Sequence, residues 1–337
     1  MPKFIYQFMK KVIPYSVKKF LKAVIFKYKI SHLVQVEIRK MRKYAFDMNL
    51  KNDIHNLFAR LTYHTHAIEK GLSNPYFREG FGQKAIKNLK DAMIEYKNAG
   101  YALDEERFLS AFIVLQEYCK VHDGKPKYTL DIYKFLDSFS ITPPVLKVGA
   151  IEYQKKTIIK KSKSMFSDLA LNRISVRDYS QAEVDDSIIL NSIGIAIKSP
   201  SVCNRQPWRV HLIKNEELLM KILNLHGGFR GNGDNLKKII LVTVDLRYFS
   251  NAYERNQGYI DGGIFLISLV YALTCNEIAT CILNAMFDIK RENEMRSLLN
   301  LEDSEILIGF ITIGNYPDKF KSPASLRISP DKCLTIH

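Results

Sequence analysis

Cysteine and tryptophan are what this 337-residue chain has least of: one Trp, at 208, and five Cys, at 119, 203, 275, 281 and 333. The cysteines are odd in number and far apart, with no CxxC pair and no histidine at ligand spacing. Neither a disulfide framework nor a metal site is expected, and a reducing cytoplasm suits the thiols. No apolar run near the start escapes a lysine, because Lys10, Lys11, Lys18, Lys19, Lys22 and Lys27 break each one. A secretory core or a spanning helix of roughly 20 apolar residues is not expected there. Acidic residues are in deficit, 35 Asp and Glu against 50 Lys and Arg. Internal repeats, low-complexity tracts, a catalytic carboxylate pair and a Ser/His/Asp order are also missing, so hydrolytic chemistry is not indicated.

What is present is the balance of a folded chain: 47% hydrophobic and 25% charged residues, in a length that suits two units. The excess positive charge sits at the head, where residues 1–50 hold twelve Lys or Arg against Glu37 and Asp47. Such a segment attracts polyanions, meaning acidic lipid headgroups, nucleic acid or phosphorylated substrates. The abundance of Lys, Ile and Asn fits an AT-rich coding bias equally well. Phe4, Phe8 and Val12, then Val17, Phe20, Leu21, Val24 and Ile25, recur at helical spacing with a break at Pro14. One face is apolar and the other cationic, as in helices that lie on an anionic membrane. The plainer reading packs that apolar face on the rest of the protein. Nucleic acid ranks last, since the head has no aromatic stacking platform.

Residues 53–70, 84–98 and 105–121 also read as helices, joined by the stretch Gly71–Gly82 and by Gly100. His64, His66 and Glu69 invite a metal reading, but residues two apart on a helix face different ways, and Gly71 reads better as a helix stop. Pro143, Pro144 and the lysine-rich run 155–163 mark a linker between a basic helical region, 1–150, and a second domain, 160–337. In the latter, β-rich runs at 208–213, 239–244, 278–283 and 306–313 alternate with helical stretches near 185–197, 215–225, 258–274 and 291–299.

Three clusters in the second half carry chemistry. Arg173-Ile-Ser175-Val-Arg177 offers two guanidiniums and a hydroxyl within five residues, suited to a phosphate. Pro200-Ser201-Val202-Cys203-Asn204-Arg205-Gln206-Pro207-Trp208 is a proline-stiffened turn with amide side chains at Asn204 and Gln206. The third is the turn and strand Asn276–Asn284. Besides these, Gly227–Gly233 is glycine-rich without being a phosphate loop. Arg255 and Asn256 open a helix entering Gly262-Gly263, small residues suited to close helix packing at a dimer core.

Taken together, Arg173–Tyr179 and, about twenty residues on, Pro200–Trp208 resemble the opening signature of the FMN-dependent nitroreductase family. The resemblance covers roughly the last half of the chain. It implies an α+β fold, a nitroreductase-like mixed sheet flanked by helices, here preceded by an all-helical N-terminal unit. It implies FMN as cofactor, NADH or NADPH as reductant, a small-molecule acceptor and a homodimer. By position, Arg173 and Ser175 match residues that hold the FMN phosphate and ribityl chain, and Arg327 matches a later phosphate contact. Arg177 matches a basic side chain at the flavin's pyrimidine edge, where a cation favours the reduced ring. Pro200, Ser201, Asn204 and Gln206 fall in the loop that borders the partner subunit's flavin. Leu283 or Asn284 matches the backbone donor to flavin N5, and Arg255 or Asn256 is placed near substrate.

Glu277 and Ala279 stand where the family has glycines, so a turn needing positive φ at 277 would be strained. Those two residues leave open a binding module without flavin chemistry. The segment His66–Leu72 with Phe81-Gly82 resembles the extension of longer relatives, which accompany surface-polysaccharide genes. That leaves open a reductase of sugar- or lipid-linked metabolites held at the inner membrane by the basic head.

Overall fold

A computed structural model describes residues 14–44, 53–73, 77–144, 148–150, 165–229, 235–250, 252–320 and 330–337. Phe4, Phe8, Val12, the lysine run 155–163, the glycine-rich positions 231–233 and Arg327 lie outside the described residues.

The chain starts as one long helix, α1 (Tyr15–Tyr44), which begins directly after Pro14 and runs well past residue 30. Four helices follow: α2 (Ile54–Leu72), α3 (Gln83–Asn98), α4 (Glu106–Val121) and α5 (Pro126–Asp137). Asp53 caps α2 by accepting the His55 and Asn56 N–H groups. Leu57, Leu61 and Ile68 of α2, Leu89 and Met93 of α3, and Phe108 of α4 share one apolar core. Gly71 does not stop α2, which continues through Leu72. The Phe81 ring lies where a side chain on Gly71 would be, and Gly82 takes the left-handed φ of 71° that starts α3. The Gly71 and Phe81-Gly82 elements of the extension are thus one packing contact.

The second half contains α6 (Met165–Asn172), α7 (Asp186–Ala196), β1 (Trp208–Ile213), α8 (Glu216–His226), β2 (Lys238–Asp245), α9 (Gln257–Cys275), β3 (Ile278–Leu283), α10 (Ile289–Leu299) and β4 (Glu305–Asn315). It is an α+β fold. The strand order is β1-β2-β4-β3, and all three pairings are antiparallel, where a mixed sheet is expected from the sequence. β3 and β4 are joined through α10 yet pair antiparallel, so this connection is not a parallel crossover unit.

Alternation along β2 sends Ile240, Val242 and Val244 into a core shared with α7 and α9, and Ile239 and Leu241 into a second core on the opposite face. A register shift at Val242/Thr243 lets Ile306, then Ile311 and Ile313, point to the same face. Gly262 is used inside this packing and not at a dimer core, since an added Cβ would lie 2.5 Å from Ile308 Cγ1, whereas Gly263 faces open space. α9 is apolar and long enough to cross a membrane, but half of its apolar window is buried against the sheet.

The far end of α1 docks on this half. Lys40 pairs with Glu292 at 3.2 Å, Tyr44 donates to Asp303 at 2.7 Å, and Met41 packs on the α9 core.

Candidate functional site

The basic cluster is held against the edge strand β3. Val176 is fully buried and its N–H donates to the Thr280 carbonyl at 2.8 Å. Tyr179 locks the segment onto β4: its hydroxyl donates to the Val176 carbonyl at 2.9 Å and lies 2.7 Å from Thr312 Oγ1. Its ring sits over Gly314, where an added Cβ would be 2.5 Å from Cδ1. This placement brings Arg173, Ser175 and Arg177 near enough to Cys281 to act on its thiol. Burial pushes the Cys281 thiol up, against the opposing pull of Arg177, a hydrogen bond to Ser175, and Arg173. Burial also raises Tyr316, and the Arg173 charge draws it back down. Arg177 reaches only the Ser175 carbonyl, at 3.5 Å, and among the described residues neither Arg173 nor Arg177 pairs with a carboxylate. Two unneutralised guanidiniums and a hydroxyl on one strand edge suit a phosphate.

The proline-bounded turn is a strained structure. Cys203, Asn204 and Gln206 have φ of 50°, 54° and 53°, left-handed values that cost about 1 kcal/mol or more for a residue with a side chain. Local bonds hold it. Asp261 accepts the Val202 N–H at 3.1 Å, Ser201 Oγ accepts the Gln206 N–H at 3.0 Å, and Gln206 Nε2 donates to the Asn204 carbonyl at 3.2 Å. Burial keeps Asp261 above the usual carboxylate range.

Arg205, which sequence reasoning leaves unassigned, is fully buried beneath the turn. It forks onto Glu254, donates to the Tyr248 carbonyl at 2.8 Å and lies over the Phe249 ring at 5.3 Å. Burial alone would raise Glu254, but hydrogen bonds from Arg205 and the Ser250 N–H outweigh it and hold the carboxyl below its ordinary value. Pro200 and Asn204 remain exposed, while Trp208 stacks on Phe265 at 4.7 Å.

The turn leads into β1 and the basic cluster borders β3, so the two stand at opposite edges of the sheet, three strand spacings or roughly 14 Å apart across it, and at opposite ends of β2, whose Val244 pairs with Trp208 and whose Lys238 pairs through Ile313 with Thr280. Among the described residues no hydrogen bond, ion pair or ring contact joins them.

In the third cluster Glu277 takes φ of 63°, the angle a glycine would favour, and Ala279 is fully buried opposite Gly314. Leu283 ends β3 paired with Phe310. The Asn284 carbonyl accepts from His226 Nε2 at 2.8 Å while His226 Nδ1 accepts the Gly228 N–H at 3.0 Å. Just beyond lies a cavity of about 290 Å³, lined by Arg255, Tyr259 and Ala285–Phe287 and walled by Leu33, Val36 and Met41 of α1. Asn256 is exposed, precedes α9 and does not line the cavity.

Elsewhere, His64 is buried and pushed down to about 4 by that burial and by Arg60, while His66 faces Glu69 at 3.6 Å. No three His, Cys, Asp or Glu side chains among the described residues gather as a metal site.

The family model described as the nitroreductase family matches residues 170–245, a span that contains both the basic cluster and the strained turn. A protein of Archaeoglobus fulgidus named as an NADH dehydrogenase/NAD(P)H nitroreductase is 25% identical over 162 residues, 48% of this chain and 91% of that one. Among solved structures, a nitroreductase with bound FMN from Desulfitobacterium hafniense is 21% identical, with a TM-score of 0.41 over 51% of this chain and 97% of that one. An assigned NAD(P)H:FMN oxidoreductase from Staphylococcus epidermidis is 16% identical, with a TM-score of 0.46 over 52% of this chain and 96% of that one.

Proposed function

We propose that this protein binds FMN and passes hydride from NADH or NADPH to a small-molecule acceptor in a ping-pong cycle, a reading supported by the match of residues 170–245 to the nitroreductase family model. The observation that carries the reading is the pair of guanidiniums, Arg173 and Arg177, which with Ser175 stand beside β3 and, among the described residues, pair with no carboxylate. Bound there, the flavin would supply the hydride chemistry. Arg173 and Ser175 would hold its phosphate and ribityl chain, with Arg327 adding a second phosphate contact, and Arg177 would place positive charge at the ring's pyrimidine edge. The segment at Leu283 and Asn284 would present a backbone donor, its carbonyl fixed by His226. The cavity beside Arg255 would receive the acceptor.

One chain sets the turn Pro200–Gln206 and the basic cluster on opposite sheet edges, which favours a homodimer in which each copy lends its turn to the other's flavin. Ile260, exposed, and Ile264 and Ile267, partly exposed, with Gly263 on the same side, give α9 an apolar outer face for such a pairing. The non-catalytic reading rests on Glu277 and Ala279. It is not favoured, because Glu277 keeps the left-handed angle and Ala279 fits the core. Purified protein reconstituted with FMN should be yellow and should bleach anaerobically with NADH or NADPH. Protein that takes up no flavin would overturn the proposal.

A second reading, contact of residues 1–50 with an anionic membrane from the cytoplasmic side, is favoured by α1. Val17, Phe20, Leu21, Val24 and Tyr28 form one exposed stripe, flanked by Lys18, Lys22 and Lys27. At about 100° per residue the stripe faces nearly opposite to Lys40, Met41 and Tyr44, which dock on the body, so packing on the body does not account for it. Sedimentation of the whole protein with anionic but not neutral vesicles is expected, and equal behaviour with both would end the idea. A place in surface-polysaccharide metabolism is supported only by the resemblance of the N-terminal extension.

A further inference from the structure

We infer that α2 of the N-terminal helical unit is the platform that completes the restraint on the strained turn 200–207 from outside the sheet half, with Arg205 as the positioning residue. Three left-handed residues that are not glycine persist in a short turn only where the surroundings over-determine them. Most of the restraint comes from the sheet half: Asp261 on the Val202 N–H, Ser201 on the Gln206 N–H, and Glu254 with the Tyr248 carbonyl on Arg205. What closes over the guanidinium from outside that half is α2. Its Tyr63 ring centre lies 6.0 Å from Arg205 Cζ, beside the 5.3 Å approach of Phe249, and α2 packs directly against residues 202–204.

The same helix grips the support beneath. Its cap residue Asp53 faces Arg247 at 3.8 Å, and His55 lies 3.1 Å from Arg209 and 6.0 Å from the Tyr248 ring centre. Tyr248 is the residue whose carbonyl receives Arg205. α2 thus restrains the turn twice, through Tyr63 on the guanidinium and through Asp53 and His55 on the 246–248 turn that anchors it. A planar guanidinium in contact with two rings keeps its fork aimed at Glu254 and the Tyr248 carbonyl. The turn's side chains then stay where a flat ligand on a second copy would meet them. The part of this inference that concerns flavin rests on the proposed function, whereas the restraint itself does not.

The test is amide hydrogen exchange on the full chain. The N–H groups of Val202, Asn204, Arg205 and Gln206 are all hydrogen-bonded, so loosening of the turn is directly visible. In Tyr63→Ala, exchange across 202–206 should quicken about threefold to tenfold, the worth of one lost cation–π contact, with β2 unchanged. Tyr63→Phe, which keeps the ring, should restore wild-type exchange. Should Tyr63→Ala disturb α2 itself, Arg205→Lys removes the planar fork from the other side and should loosen 202–206 while α2 stays protected. Wild-type exchange across 202–206 in Tyr63→Ala, or in Arg205→Lys, would overturn the inference. FMN titration of the same proteins separates the two ideas. A loosened turn in protein that never binds FMN leaves the platform standing and removes the flavin reading, and an unchanged turn in protein that does bind FMN does the reverse.

Discussion

Replacing Glu277 with glycine isolates one backbone angle. Glu277 is exposed, sits in the turn between α9 and β3 at φ of 63°, and its N–H donates to the Thr274 carbonyl at 3.1 Å. A Cβ in the left-handed region costs about 1–2 kcal/mol relative to glycine. The glycine gives back about 0.4–1 kcal/mol through the freer unfolded chain. The midpoints of the two leave a net gain of about 0.8 kcal/mol, and with about 2–4 °C per kcal/mol for a domain of this size Glu277→Gly should raise the Tm of the sheet half by about 2–3 °C. Glu277→Ala, which keeps the Cβ, should leave Tm near wild type and serves as the control. Scanning calorimetry or near-ultraviolet circular dichroism reads both. A glycine variant that melts at or below wild type, or an alanine variant that gains as much, would refute the assignment of strain to this angle.

Three further outcomes follow from the packing and charges. Gly71→Ala forces a methyl into the space of the Phe81 ring and should cost about 1–3 kcal/mol in urea unfolding, with partial rescue by Phe81→Leu. Asp245→Asn removes the fully buried carboxylate that receives Arg247 at 2.7 Å and Arg209 at 3.2 Å. It should destabilise by about 3–5 kcal/mol, and a change under 1 kcal/mol would contradict the buried network. His64, depressed to about 4 by burial and Arg60, stays neutral in the folded protein while the unfolded chain takes up a proton below about 6.5. Stability should fall as pH drops from about 6.5 toward 4, by up to about 3 kcal/mol, and His64→Gln should flatten that slope.

The strands were legible because each is a short apolar run bounded by turn residues, and all four match the expected runs to within about two residues. α5 was not among the expected helices, although a proline such as Pro126 is at home in the first turn of a helix and here starts one. Gly71 was misread as a stop, since its need for a bare backbone is set by Phe81, which arrives only when the fold brings it back. Arg205 looks like one more polar residue in a basic loop. Its burial depends on Glu254 and Tyr248, more than forty positions away, and no local pattern announces them.

The apolar spacing of α1 was readable, yet which face docks was not, because that depends on Glu292 and Asp303 across the fold. The basic cluster and the turn could each be picked out by residue type. That they occupy opposite edges follows only from the strand order, which composition and spacing do not encode.

The affinity of the whole protein for FMN against riboflavin, followed by flavin fluorescence, tests the phosphate site itself. Each charge-assisted contact is worth about 1.5–3 kcal/mol, so FMN should bind at least about tenfold tighter, and Arg173→Ala should erase most of that difference. Equal affinity for the two flavins, or an undiminished preference in Arg173→Ala, would contradict the site built on Arg173, Ser175 and Arg177.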